Sequence, residues 1–169
     1  MSEQEVKLNW QQYMDEGTKL FERRRLAQAE VMFLEAMKIA EGFADNDPRL
    51  ATSLNNLAAL YHSQGKYAFA EDMYRRALVR NEKLCGEKSA EAARIFFNLA
   101  VLYSAKAAYD EAELNYKTSL AIKEELYGAN DKELLANLRN YSELLRRMNR
   151  QTEAQSLEDR IKNIETTSN

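Results

Sequence analysis

Residues 51–86 read ATSLNNLAALYHSQGKYAFAEDMYRRALVRNEKLCG. Leu54, Leu57, Ala58 and Tyr61 recur at i, i+3, i+4 and i+7, the stripe of one amphipathic helix. Ser63-Gln64-Gly65-Lys66 interrupts that stripe, and Gly65 is placed to leave the helix in a left-handed conformation. A second stripe follows through Tyr67, Ala70, Met73, Tyr74, Ala77 and Leu78. The segment therefore reads as two antiparallel helices joined by a tight turn.

The same phrase returns 42 residues later. Aligning 51–92 with 93–134 gives fifteen identities, among them Asn56/Asn98, Leu57/Leu99, Ala58/Ala100, Tyr61/Tyr103, Ala70/Ala112, Tyr74/Tyr116 and Gly86/Gly128. Chance would give about two or three. Weaker copies extend both ways: Leu138, Asn140, Leu145 and Ala154 downstream; Gly17, Leu20, Ala29, Phe33 and Ala36 upstream, one residue shorter in spacing. Four repeats, approximately 10–50, 51–92, 93–134 and 135–165, predict eight helices with polar ends at 1–9 and 166–169. The polar ends lead to the expectation of a complete repeat domain over 1–169.

Asp45-Asn46-Asp47-Pro48, Gly86-Glu87-Lys88-Ser89 and Gly128-Ala129-Asn130-Asp131 are the breaks between repeats, with Pro48 suited to a first helical turn and Asp47 to its cap. Alanines at 58, 100, 70 and 112 sit where helices must approach closely, and large neighbours fill the adjacent space. An isolated hairpin could not bury its stripe, so an all-α, right-handed solenoid is expected, with one concave face. Ala154, Leu157, Ile161 and Ile164 form a single narrow stripe on the last helix, as a capping helix requires.

Composition agrees. Ala, Leu, Glu, Lys and Arg supply just over half of the 169 residues, against one Pro, five Gly and nine Val plus Ile. That balance excludes collagen, a β-sandwich and a disulfide scaffold. A net charge of −3 supplies no global basic field for nucleic acid, and none is expected as a partner. No apolar run approaches the ~18 residues of a membrane span, so no membrane partner is expected either. Cys85 is the only cysteine, which rules out an intramolecular disulfide and fits a reducing cytoplasm.

Leu57-Ala58, Tyr61, Gly65, Tyr67, Ala70, Tyr74 and Ala77 resemble the tetratricopeptide consensus, and Leu99-Ala100, Tyr103, Tyr109, Ala112 and Tyr116 repeat it. The usual tetratricopeptide period is ~34 residues; the longer period here is similar to that of kinesin light chain repeats. The resemblance covers nearly the whole chain. Kinesin light chains also carry a heptad segment ahead of their repeats, and only nine polar-rich residues precede Trp10, so a motor-subunit role is not expected. Ser142, Asn149 and Glu158 replace small or aromatic consensus residues, consistent with a terminal repeat.

The resemblance implies that the first helix of each repeat lines an inner groove. The groove positions are then Gln11, Met14, Asp15, Thr18 and Phe21; Thr52, Asn55, Asn56, Ala59 and His62; Arg94, Phe97, Asn98, Val101 and Ser104; and Ala136, Arg139, Asn140, Glu143, Arg146 and Arg147. Asp15, Asn56, Asn98 and Asn140 occupy one place in successive repeats. Asparagine both donates and accepts, so such a ladder can hold the backbone of an extended peptide; the competing role is bonding to neighbouring helices. Arg94, Arg139, Arg146 and Arg147 would favour an acidic or carboxylate-ended peptide, unless they pair with Glu143 or Glu133. Phe97 and Val101 could hold one apolar anchor. Asn56 with Arg94 resembles part of a dicarboxylate clamp, but Met14 and Thr18 stand where its Lys and Asn would be.

No catalytic constellation is present. His62 is the only histidine, the glycines form no phosphate cradle, and Glu124-Glu125 lack an apolar setting. No enzyme activity, metal or cofactor is expected. Arg23-Arg24-Arg25 falls at a turn and reads as a solvated loop. The expected function is a peptide-binding scaffold or adaptor. A homo-oligomeric adaptor and a secretion or assembly chaperone are the alternatives.

Overall fold

The computed structural model describes residues 3–167, with side chains from residue 9 onward. Its helices are α1 (Glu3–Glu22), α2 (Leu26–Ala40), α3 (Arg49–Ser63), α4 (Tyr67–Cys85), α5 (Ala90–Ala105), α6 (Tyr109–Tyr127), α7 (Leu135–Arg147) and α8 (Gln151–Thr167). A 3-10 turn at Lys132–Leu134 leads into α7, and no strand occurs among the described residues. The expected polar ends fall partly outside the described residues. Residues 3–9, assigned to the first of those ends, instead belong to α1.

Consecutive helices pack as four antiparallel hairpins, α1/α2, α3/α4, α5/α6 and α7/α8. The chain divides into two compact units, one up to Gly86 and one from Glu87, each holding two hairpins.

All four hairpins turn in the same way. In each, one residue takes a positive φ: Arg24 at 60°, Gly65 at 73°, Ala107 at 57° and Asn149 at 60°. Its N–H bonds back three residues and the next N–H bonds back five, as in Gly65 to His62 O (2.9 Å) and Lys66 to Tyr61 O (2.9 Å). This pair of bonds satisfies carbonyls that the ending helix leaves open. Gly65 adopts the conformation expected of it without penalty, whereas a Cβ at Arg24 costs about 1 kcal/mol. Arg24→Gly should therefore stabilise the chain by up to about 1 kcal/mol in urea denaturation. An unchanged midpoint would refute that assignment of strain.

Helix starts follow the sequence signals. The Asp47 carboxylate accepts the Arg49 N–H (3.0 Å), and the Ser89 hydroxyl accepts the Ala92 N–H (3.1 Å). Both bonds satisfy otherwise open donors at a helix start. The alanines at 58, 70, 100 and 112 are wholly buried. In α1 the matching position is Gly17, where a Cβ would lie 2.6 Å from the Phe33 ring, so only glycine lets α1 and α2 approach this closely.

In the N-terminal unit, Trp10 is buried and its Nε1 donates to Ser53 Oγ (2.9 Å), tying α1 to α3. In the C-terminal unit, Leu120, Leu134, Leu138, Ile161 and Ile164 form one apolar cluster, with Leu157 packed against it. The expected apolar stripe of α8 is thus the face it buries. Aligned with Ser53 and Ile95 stands Asn137, wholly buried with neither amide atom hydrogen-bonded. An orphaned buried polar group of this kind costs about 1–3 kcal/mol.

A polar network ties α6 to the α7/α8 hairpin. Glu113 accepts from Tyr141 Oη (2.8 Å), Arg150 Nη1 (2.5 Å) and Lys117 Nζ (2.7 Å), while Arg150 also binds Glu153 through two nitrogens. Arg150, opposed by burial but joined by Lys117 and Tyr141, holds the Glu113 carboxyl down at about 2.

Candidate functional site

On α3 eight of the fifteen residues are buried, and Thr52, Asn56, Ala59 and Ser63, all half-buried, form one stripe. Asn55, expected on the open face, is a correction: it is 2% exposed. At 100° per residue it stands about a quarter-turn off that stripe, beside Leu54 and Ala58 in the packed interior. Asn56 is half-buried and open. With Thr18, Phe21, Phe33 and Ala59 it lines a pocket of about 100 Å³ between α1 and α3. Phe33, 2% exposed, supplies an apolar wall. Such a hollow matches one aliphatic side chain, with an amide at its rim.

In the C-terminal unit, Arg94, Phe97, Asn98, Val101 and Ser104 share one stripe of α5, all exposed or half-buried. Phe97 packs edge-on against Tyr116 (6.0 Å between centroids), and Lys123 Nζ lies 5.9 Å from its ring. Lys123 also donates to the Glu133 carbonyl (2.8 Å). Burial pushes its ammonium pKa down. On α7, Ala136, Arg139, Asn140, Glu143, Arg146 and Arg147 lie along one face, exposed or nearly so.

Within each unit the helical stripes therefore bring the proposed residues together, apart from Asn55 and Met14, which is 5% exposed and packs against Ser53 instead of lining the open face. Their present partners are more specific than the sequence could show. Arg94 pairs with Glu91 (2.5 Å), Arg139 with Glu165 (2.5 Å), Arg146 with Glu158 (2.6 Å) and Arg147 with Glu143 (3.3 Å). The expected alternative at Glu143 is realised. Glu133 instead offers its backbone carbonyl to Lys123. Asn140 Nδ2 bonds the Ala136 carbonyl of its own helix (2.8 Å), and Asp15 accepts from Gln11 (2.8 Å). The His62 ring lies 5.8 Å from Tyr67, and burial lowers its pKa.

Two contributors escaped a reading confined to first helices: Phe33 on α2 and Lys123 on α6. The repeat aligns Lys123 with Asn81, which is 2% exposed. A lysine at a position that is buried in the preceding repeat was the available signal. Among the described residues no group of His, Cys, Asp and Glu is placed to hold a metal, and no helix is long and apolar enough to cross a membrane.

Helix hairpins of repeating sequence, joined by identical turns and presenting one open stripe per first helix, define a helical-repeat protein. The sequence model of the tetratricopeptide repeat matches residues 17–80, 70–125 and 91–164, and the chain belongs to that family. The family's members are generally non-catalytic scaffolds for protein–protein interaction. The solved structure of BtubC (BKLC) from P. vanneervenii is similar over 96% of this chain, with 27% identity and a TM-score of 0.87. The chain spans 65% of the length of BtubC. A Podosopora anserina kinesin light chain-like protein of nearly identical TPR-like repeats matches 94% of this chain and 76% of its own, at 16% identity and a TM-score of 0.76. A singly substituted form of that protein matches the same shares at 16% identity and a TM-score of 0.79. These structures are kinesin light chain-like in their repeats, as the residues suggested. No curated protein matches the chain.

Proposed function

We propose that the chain is a non-enzymatic cytoplasmic adaptor that binds an extended, acidic or carboxylate-bearing peptide segment along the open stripes of its first helices. The observation that carries this reading is the pocket between α1 and α3, which sets the Asn56 amide at the edge of an apolar hollow. An anchor side chain would fill the hollow while Asn56 bonds the peptide backbone. Asn98, with Phe97 and Val101, would do the same on α5, and Asn140 on α7. Arg94, Arg139 and Arg146 would take carboxylates bidentately. They are now paired to exposed or partly exposed glutamates. Such pairs are worth about 0–1 kcal/mol, so an incoming carboxylate can displace them.

The test is selection from a diverse peptide library, with the Asn56→Ala/Asn98→Ala variant alongside. The expected result is enrichment of acidic or carboxylate-ended peptides and an affinity loss of about tenfold or more in the variant, which is about 1.4 kcal/mol. Equal affinity in a variant with an unchanged thermal melt would refute the asparagine mechanism. Absence of any selection, together with concentration-dependent light scattering, would favour the homo-oligomeric adaptor. Co-purification with one otherwise unstable protein would favour the chaperone.

A further inference from the structure

Arg23, Arg24 and Arg25 occupy the turn between α1 and α2, all exposed. No carboxylate of the described residues pairs with any of them, although Glu22 is adjacent in sequence. Every other arginine of the chain pairs with a carboxylate. The repeat gives this difference a meaning. Arg25 aligns with Lys66 and Arg150, the residues that follow the left-handed position in their own turns. Its backbone angles (φ −85°, ψ 61°) nearly equal those of Lys66 (φ −81°, ψ 62°). Each of those later residues grips a glutamate on a neighbouring second helix. Lys66 takes Glu30 of α2 (3.3 Å), assisted by Gln64 (2.9 Å), and Arg150 takes Glu113 of α6 (2.5 Å). Arg23 aligns with Gln64, so the first turn repeats both arms of the grip with guanidinium groups. Arg24 holds the left-handed position at a steric cost that Gly65 and Asn149 avoid.

We infer that the Arg23–Arg25 turn is a docking site for a helix of another protein that presents a glutamate carboxylate, bound as Glu30 and Glu113 are bound by the later turns. The occupant is not a second copy stacked by the repeat's own rule. The aligned position on α8 is Gln155, and Glu30 and Glu113 are already engaged. Bidentate guanidinium–carboxylate geometry favours such a partner, and the site is separate from the open stripe at Asn56.

The test uses a fluorescein-labelled, alanine-rich helical peptide with glutamates along one face, titrated into the whole chain by anisotropy. Arg23→Gln/Arg25→Gln should weaken binding about tenfold or more. Lys38→Gln/Lys83→Gln removes the same charge from exposed sites elsewhere and should change it less than about twofold. The inference is overturned if the two charge variants lose affinity equally, if the glutamine version of the peptide binds as well, or if duplex DNA binds the turn more tightly than the glutamate helix does.

Discussion

Gly17→Val is expected to destabilise the N-terminal unit by about 2–3 kcal/mol and to lower peptide affinity at the same time. In an ordinary helix interior, replacing glycine gains stability, because glycine has the most backbone freedom to lose. Here the sign reverses. A Cβ would meet Phe33 Cε1 at 2.6 Å, Phe33 Cδ1 at 2.7 Å and Met32 Cβ at 3.2 Å. The Phe33 ring is 2% exposed, so it can retreat only by disturbing what surrounds it. The same ring lines the pocket at Asn56, so displacement alters the hollow that would take an anchor residue. Trp10 is the single tryptophan and lies in this unit, so its fluorescence during urea denaturation reports the change directly. Combining Gly17→Val with Phe33→Leu should recover part of both losses. A single variant as stable as the parent would show that the close approach is not required.

Glu113→Gln is expected to cost about 2 kcal/mol at neutral pH and progressively less in acid. The Glu113 carboxyl is held at about 2 from an ordinary 4.5, chiefly by Arg150 and with help from Lys117 and Tyr141. A shift of that size corresponds to about 3 kcal/mol, reduced here because Arg150 and Lys117 are partly solvated. The folded pKa lies below the unfolded one, so the stabilisation is complete above about pH 4.5 and is lost as pH falls toward 2. The gap between parent and variant in urea denaturation should therefore narrow by about 1 kcal/mol between about pH 7 and about pH 3.5. A gap independent of pH would mean that the carboxylate acts by packing alone. The linked Tyr141 phenol is pushed far above its ordinary range, by burial first and then by the Glu113 carboxylate.

The fold was legible because its determinants are local and periodic. Leu54, Leu57 and Ala58 announce a helix face without reference to anything distant, and a second occurrence 42 residues later makes coincidence untenable. The turn at Gly65, the break before Arg49 and the narrow stripe of α8 were readable for the same reason. Asn56, Asn98, Arg139 and Arg146 need only helical periodicity to be placed on the half-buried or exposed side of their helices. Asn55 failed because one residue of rotation separates a half-exposed position from a buried one, and α3 is packed around most of its circumference. What each arginine touches was not legible. Glu158 and Glu165 lie on α8 while their partners lie on α7, and the meeting depends on how the two helices pack. The α1 boundary was missed because polar residues can extend a helix without contributing to its stripe.

The four turns share one backbone course while carrying unrelated residues: Arg23-Arg24-Arg25, Gln64-Gly65-Lys66, Lys106-Ala107-Ala108 and Met148-Asn149-Arg150. Geometry and chemical content are thus separable at these places. One backbone frame thus carries a different chemical head at each tip, and where that head is Lys66 or Arg150 it also fastens a neighbouring helix. The first tip, whose arginines pair with no carboxylate of the described residues, is the place where such a chain can vary its surface without unfastening its interior.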